Sequence, residues 1–479
     1  MALSALDVFK WIEDNIVWGI PVIILILTVG ILLTIKLRAL QVIHLGESLK
    51  YMVANETEGK GEVSSFAALC ISMAATLGTG KIVGVATAIA IGGPGALFWM
   101  IIAAILGMAT KYAEGFLAIR FRRKQEDGTY IGGPFTYIED GMGKKWKWLA
   151  ICFAIFGSIC AIFGIGASTQ MNSITDSFVS VFDPESSNVI LTIDGHPVTL
   201  VAIIVGAVVT VLSAISIIGG IQRISKISVF LVPFMAIGYF LVCILILVFN
   251  ITKVPAAVLE ICKSAFNFKS ATGGIAGMGI ILAMRQGISK GIFSNEAGLG
   301  SAPIALASAK SNDSVRQGLV CMSGTFIDTM VLCLTIGLGI VLTGSYIGNE
   351  GVDITINAFQ TGLNISQKFS AVIVMLAIST FAFTTIIGWN VYGEKCICYL
   401  TNNSKKALLI YKIIYISAVA IAPYFSLQLI WSIASICNGL MAIPNLIGLI
   451  VLSGLVAKET RDYFHIRKLQ KQSEVKEWQ

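Results

Sequence analysis

Two glycine-rich interruptions stand inside otherwise apolar segments of this chain. They are Gly78-Thr79-Gly80-Lys81 near the start, and Gly287-Ile288-Ser289-Lys290-Gly291-Ile292-Phe293-Ser294-Asn295-Glu296-Ala297-Gly298 past the middle. Glycine lets a helix open and lets backbone approach a ligand closely. An opened helix offers N–H groups that can hold an anion and carbonyls that can replace water around a cation. In hydrocarbon an unpaired backbone group is costly, so such a break is tolerated only where it lines a cavity or is buried in protein. Two breaks at matching places in two halves are the pattern of a carrier's binding site.

The elements that must position these breaks are membrane helices. Of 479 residues, 56% are hydrophobic and 13% charged, and the mean hydropathy is +0.83; the charge is about half that of a soluble domain. The net charge of +7 does not point to nucleic acid, because Lys and Arg gather in short connections between apolar runs. Runs of membrane-spanning length give eleven candidates: 16–35, 64–91, 94–120, 147–181, 198–218, 225–250, 272–308, 315–343, 366–396, 407–423 and 425–457. Those at 64–91 and 272–308 contain the interruptions. The first run follows acidic Asp7, Glu13 and Asp14 rather than a basic leader and is followed by Lys36 and Arg38, so it reads as a retained helix and not a signal peptide.

Alternate loops sort by charge. Lys36 with Arg38, the run from Arg120 to Lys124 with Lys144, Lys145 and Lys147, Arg223 with Lys226, Lys310 with Arg316, Lys395 with Lys405 and Lys406, and the tail from Lys458 fall on one side. The loops 182–197 and 344–365 fall on the other and contain neither Lys nor Arg. The positive-inside rule then puts the N-terminus outside and the C-terminus in the cytoplasm of a multi-pass protein of the cell membrane. The connection 251–271, with Lys253, Lys263 and Lys269, is the exception and reads as an external amphipathic segment.

Setting aside the first helix leaves ten spans that divide five and five, each half led by its interrupted segment. Five is odd, so the second half enters the membrane inverted, as in the LeuT-like architecture. The expected fold is therefore all-α and polytopic. Its parts are an extra N-terminal helix and connection at 1–62, a first five-helix repeat at 63–250, the external segment at 251–271, a second inverted repeat at 272–457, and a cytoplasmic tail at 458–479. The ten cysteines, with Cys396 and Cys398 the closest pair, lack zinc spacing and read as small buried hydrophobes. His44, His196 and His465 fall in predicted loops with no metalloprotease spacing.

Long motifs then resemble the alanine or glycine:cation symporter family. They are Ala74-Ala75-Thr76-Leu77-Gly78-Thr79-Gly80-Lys81-Ile82, Gly92-Gly93-Pro94-Gly95-Ala96 and Gly107-Met108-Ala109-Thr110-Lys111-Tyr112-Ala113-Glu114. They continue in the stretch from Arg120 to Gly132-Gly133-Pro134, in Ser294-Asn295-Glu296-Ala297-Gly298-Leu299-Gly300-Ser301-Ala302-Pro303, and in Gly388-Trp389 with Tyr392-Gly393-Glu394. The likeness covers almost the whole chain. It implies a LeuT-like fold and sodium-driven uptake of small neutral amino acids, alanine or glycine.

Under that resemblance each residue type has a physical use. Amides near Gly78, Thr79 and Gly80, at the positive end of a half-helix, suit a substrate carboxylate. By analogy the carbonyls of Ala74 and Leu77, with the hydroxyls of Thr384 and Thr385, suit a sodium ion; the bland alternative for the Thr pair is bonding to its own helix. Thr385 and Trp389, one turn apart, would line the alanine site. Gln170 would meet the substrate's charged groups, or else serve as interhelical glue. Phe293 would wall the side-chain pocket, or simply pack. Ser294-Asn295-Glu296 reads as a cap of the half-helix that follows; the alternative is that its carboxylate orients the unwound backbone or ligates a cation. Asp328, and Glu114 with Lys111, read as paired or snorkelling charges.

The departure from the family pattern is Lys81, where members carry asparagine. Lysine has only donors and cannot ligate a cation. Its ammonium would substitute for one sodium, carry a transported proton, or snorkel to water. Sodium coupling with alanine or glycine is thus the leading expectation, and a proton-coupled or sodium-independent carrier is the alternative. A channel would show repeated pore rings, and an intramembrane enzyme a nucleophile with a base or a metal cluster; neither pattern is present.

Overall fold

The computed structural model describes residues 5–54, 59–193, 196–266, 278–424 and 428–477. The expected start of the seventh span, 272–277, Lys269 and the first residues of the last span, 425–427, lie outside the described residues.

The polypeptide is a helical assembly with two small β-hairpins, β1 (Arg123–Lys124) with β2 (Tyr130–Ile131) and β3 (Val189–Ile193) with β4 (His196–Thr199). Helix α1 (Ile20–Lys36) precedes the pair α2 (Ser65–Thr76) and α3 (Val83–Gly92). There follow α4 (Gly95–Arg120), α5 (Lys147–Phe163), α6 (Ser168–Phe182), α7 (Leu200–Ile218) and α8 (Gly220–Phe249). After α9 (Val254–Ala265) come α10 (Met278–Asn295), the short α11 (Ala302–Leu306), and α12 (Ser314–Thr325), which runs through a π-helical stretch, Phe326–Cys333, into α13 (Leu334–Thr343). The chain closes with α14 (Asp353–Leu363), α15 (Gln367–Leu400), α16 (Lys405–Ile421) and α17 (Gln428–Glu477).

Where described, each expected apolar segment is mainly helical, with breaks at 77–78, 164–167 and 296–301. Among the described residues eight helices are long and apolar enough to cross a membrane, and a ninth passage is counted when α2 and α3 are taken together. Helices α7, α8 and α16 turn large apolar side chains outward, among them Ile204, Val208, Phe230, Phe234, Ile410 and Ile413. Such a continuous exposed apolar belt is what lipid covers.

Several expectations are corrected. Gly287 and Gly291 do not interrupt a helix, because both lie inside α10. A Cβ on Gly287 would sit 2.1 Å from the Ala96 carbonyl oxygen, and one on Gly291 3.1 Å from Met100 Cγ. These glycines let α10 approach α4 backbone to backbone, as small residues do between membrane helices. The opening takes in only the last residues of that stretch and runs past it, Glu296–Ser301, where Glu296, Gly298 and Gly300 take positive φ. The passage 147–181 has its own break, at residues 164–167 between α5 and α6. The Lys- and Arg-free segment 344–365 contains α14, which buries Ile354, Thr355, Ala358 and Phe359. His465 lies in α17 rather than a loop, because that helix continues through most of the expected tail. It is docked there by Arg120–Glu459 and Arg467–Glu47 ion pairs. All ten cysteines are free, most of them buried.

On the side of the basic loops Arg122 and Lys395 tie several connections together. The Arg122 guanidinium donates to the carbonyls of Ala309 (2.7 Å), Lys60 (2.8 Å), Ala307 (3.2 Å) and Ser311. Lys395 Nζ ties Glu62 (2.9 Å) to the Tyr130 carbonyl (2.8 Å).

Candidate functional site

Helix α2 starts with the Ser64 hydroxyl accepting from Ala67 N–H and ends at Thr76. Beyond it Leu77 and Gly78 leave helical geometry, a 3-10 turn covers Thr79–Lys81, and α3 departs at 62° to α2. The turn removes Ala74's usual helical donor, because Gly78 N–H instead donates to the Thr76 carbonyl at 2.9 Å. The Ala74 carbonyl meets the Thr385 hydroxyl of α15 at 3.0 Å, the same distance that hydroxyl keeps from the Phe381 carbonyl of its own helix. No donor among the described residues reaches the Leu77 carbonyl. The other side of the break is held too, with the Thr355 hydroxyl of α14 donating to the Ile82 carbonyl at 3.0 Å.

Two other helices converge on Gly78. A Cβ there would lie 3.0 Å from Thr385 Oγ1 and 3.2 Å from Gln170 Nε2. Gln170, in the first turn of α6, accepts from Thr79 N–H over 3.5 Å. Helix α15 comes this close because Gly388 has no side chain, since a Cβ on it would stand 2.7 Å from Ala75 N. One turn from Thr385, the backbone side of Trp389 presses on the α5–α6 break; a Cβ on Gly166 would meet Trp389 Cβ at 2.7 Å. Among the described residues no hydrogen-bond partner reaches the buried indole N–H of Trp389, so polar capacity is left over here.

The expected residues therefore divide. Gly78, Thr79, Gln170 and Thr385 are brought together, with Trp389 at the neighbouring break. Phe293 lies at the Gly80 edge, its ring 3.8 Å from where a Gly80 Cβ would be, and meets Trp18 edge-on at 6.2 Å. Trp18 is in turn fixed by a 3.0 Å bond to Ser435 Oγ. A cavity of about 200 Å³ opens between them, reached by Ile165, Thr169, Phe293 and Trp18. Thr384 does not join Ala74 and Leu77. Its hydroxyl bonds the Phe381 carbonyl of its own helix (2.8 Å) and faces Met235 of α8. The Thr385 hydroxyl stands 3.0 Å from the same Phe381 carbonyl, so the two hydroxyls flank one oxygen.

Lys81 does not reach water. It is fully buried, and its ammonium pairs with Asp328 of the π-helical stretch and bonds Ser294 through both the carbonyl and the hydroxyl, the latter at 2.7 Å. Glu114 does not snorkel either. From α4 it accepts from Gly298 N–H (3.1 Å), Gly300 N–H (3.2 Å) and Asn445 Nδ2 (2.7 Å), so it holds the second break open. Glu296 accepts from the Ser301 hydroxyl across the same break. Sequence reasoning missed Glu114's role and Thr355. The signals were a carboxylate in the middle of an apolar helix and an amphipathic run in a presumed loop.

Among the described residues no group of His, Cys, Asp and Glu is arranged for a metal ion. The oxygens gathered at the first break are carbonyls and hydroxyls, which suit a hard alkali cation and not a transition metal.

Relatives share this chain almost end to end. A transporter of Haemophilus influenzae is 46% identical over 95% of this chain and 96% of its own length. The sodium/alanine symporter AgcS of Methanococcus maripaludis is 40% identical over 95% and 96%. The probable sodium/glutamine symporter GlnT of Bacillus subtilis is 35% identical over 95% and 90%. The sodium:alanine symporter family matches residues 3–477, and the chain belongs to that family of membrane transporters.

Proposed function

We propose that the protein is a secondary active carrier that couples inward movement of sodium to uptake of a small neutral amino acid, alanine or glycine, by alternating access. The observation that carries this reading is the convergence of Gly78, Gln170 and Thr385 at the first break. In this reading the backbone N–H groups of Gly78, Thr79 and Gly80 take the substrate carboxylate, with the Gln170 amide beside them. The oxygens of Ala74, Leu77 and Thr385 would hold the sodium ion, which supplies the driving gradient and a counter-charge. Trp389 and Phe293 would bound a pocket too short for long side chains.

The same reading has eleven spans in a LeuT-like five-plus-five arrangement, with the N-terminus outside. The Arg122 and Lys395 clamp then closes the cytoplasmic side. The cavity beside Phe293 lies towards the opposite end of the α10–α11 segment, the side from which substrate would enter.

Thr385→Ala should lower alanine uptake by purified protein in proteoliposomes about tenfold, roughly 1.4 kcal/mol, with Thr385→Ser retaining most of it. Gln170→Ala and Trp389→Ala should likewise impair uptake more than folded yield. Normal kinetics in all three alanine variants would place the site elsewhere.

A further inference from the structure

Lys81 and Asp328 sit on different helices, one in the turn of the first break and the other in the π-helical stretch between α12 and α13. Neither is solvated, at 0% and 2% exposure. No hydrogen-bond donor other than the ammonium that pairs with it lies near the Asp328 carboxylate among the described residues. The other oxygens on the ammonium both belong to Ser294, in the last turn of α10. Carbonyls there lack helical donors and lie at the negative end of the helix dipole. One carboxylate, one terminal carbonyl and one hydroxyl around a buried centre form a set of hard oxygens, the ligand chemistry of an alkali cation.

We propose that this oxygen cage is a monovalent-cation site whose occupant is the chain's own Lys81 ammonium. The ammonium supplies one positive charge and three donors, enough to satisfy Asp328 and both Ser294 oxygens. It is tethered, so it is not released in each cycle, and it stitches the first break to α10 and the π-helical stretch in every state that keeps the cage. Because Asp328 neutralises it, the ammonium does not balance the substrate carboxylate; that task stays with the first-break amides and the ion at Ala74 and Thr385. Under the carrier reading, on which this consequence rests, one fewer free cation is carried per substrate than in a relative whose cage holds an ion. The cage itself does not depend on that reading.

The test removes the tether and keeps the cage. Lys81→Met leaves a buried carboxylate with no cation, so the site should recruit one from solution. Melting of the purified, lipid-reconstituted protein in sodium chloride and in choline chloride at equal ionic strength reads this without transport. The variant should gain a sodium-specific stabilisation at least about 2 °C above that of the wild type, since ligand binding to the folded form raises its melting point. Adding Asp328→Asn should abolish the excess. Should Lys81→Met yield no folded protein, Lys81→Gln, which fills the space without charge, gives the same readout. A single variant whose sodium response equals the wild type's, or an excess that survives Asp328→Asn, overturns the proposal. Alanine uptake measured separately distinguishes that outcome from a failure of the carrier reading.

Discussion

Glu114→Ala should unfold the second break and lower the protein's stability by on the order of 4 kcal/mol. The carboxylate accepts from Gly298 N–H, Gly300 N–H and the Asn445 amide, all buried. Each donor left without an acceptor costs about 1–3 kcal/mol, and the three share one partner, so their costs do not simply add. Asn445 Nδ2 keeps a 2.9 Å bond to the Gly298 carbonyl, which softens the loss at one point only. Glu114→Gln retains an acceptor oxygen and should cost markedly less. Melting of the purified variants checks the order wild type, Gln, Ala; an alanine variant as stable as the wild type would mean that the break holds itself open.

Gly388→Val should abolish alanine uptake, with a fall of more than about a hundredfold. The first added carbon would stand 2.7 Å from Ala75 N and 2.9 Å from Ala75 Cα. These are backbone atoms, so relief requires α15 to move off α2, which separates Thr385 from the Ala74 carbonyl. Overpacking of this kind costs about 1–3 kcal/mol, enough to spoil the site without preventing folding. Gly454→Ala in α17, with open space around its added carbon, is the control and should leave uptake unchanged. If Gly388→Val transports normally, the close approach of α15 is not what builds the site.

The sequence made the helices and the first break legible for a simple reason. Apolar runs are long, and Gly78 and Gly80 interrupt one of them where hydrocarbon should forbid it. The second break was displaced because glycine has two uses in a membrane helix. At Gly287 and Gly291 it serves close packing on α4, whereas the real opening is held by Glu114, a partner distant in sequence. The break at residues 164–167 stayed hidden because Gly164-Ile165-Gly166-Ala167 is as apolar as the helices on either side. Helix α14 was read as a loop because it is too short and too polar to span. Of the site, Gly78, Gln170 and Thr385 were legible as a set only through the family resemblance. Where the Thr384 hydroxyl goes, to the Phe381 carbonyl beside Met235, needed the fold. The Lys81–Asp328 pair needed the fold, since nothing local to either residue names the other.

In the proposed function a sodium gradient drives a small neutral amino acid through a site at the first break. Uptake of labelled alanine into proteoliposomes of the purified wild type, under an inward sodium gradient and with that gradient dissipated, tests it most directly. Alanine should accumulate above the external concentration while the gradient lasts, and decay to equality when it is removed. Alanine that only equilibrates, at the same rate with or without sodium, would contradict it.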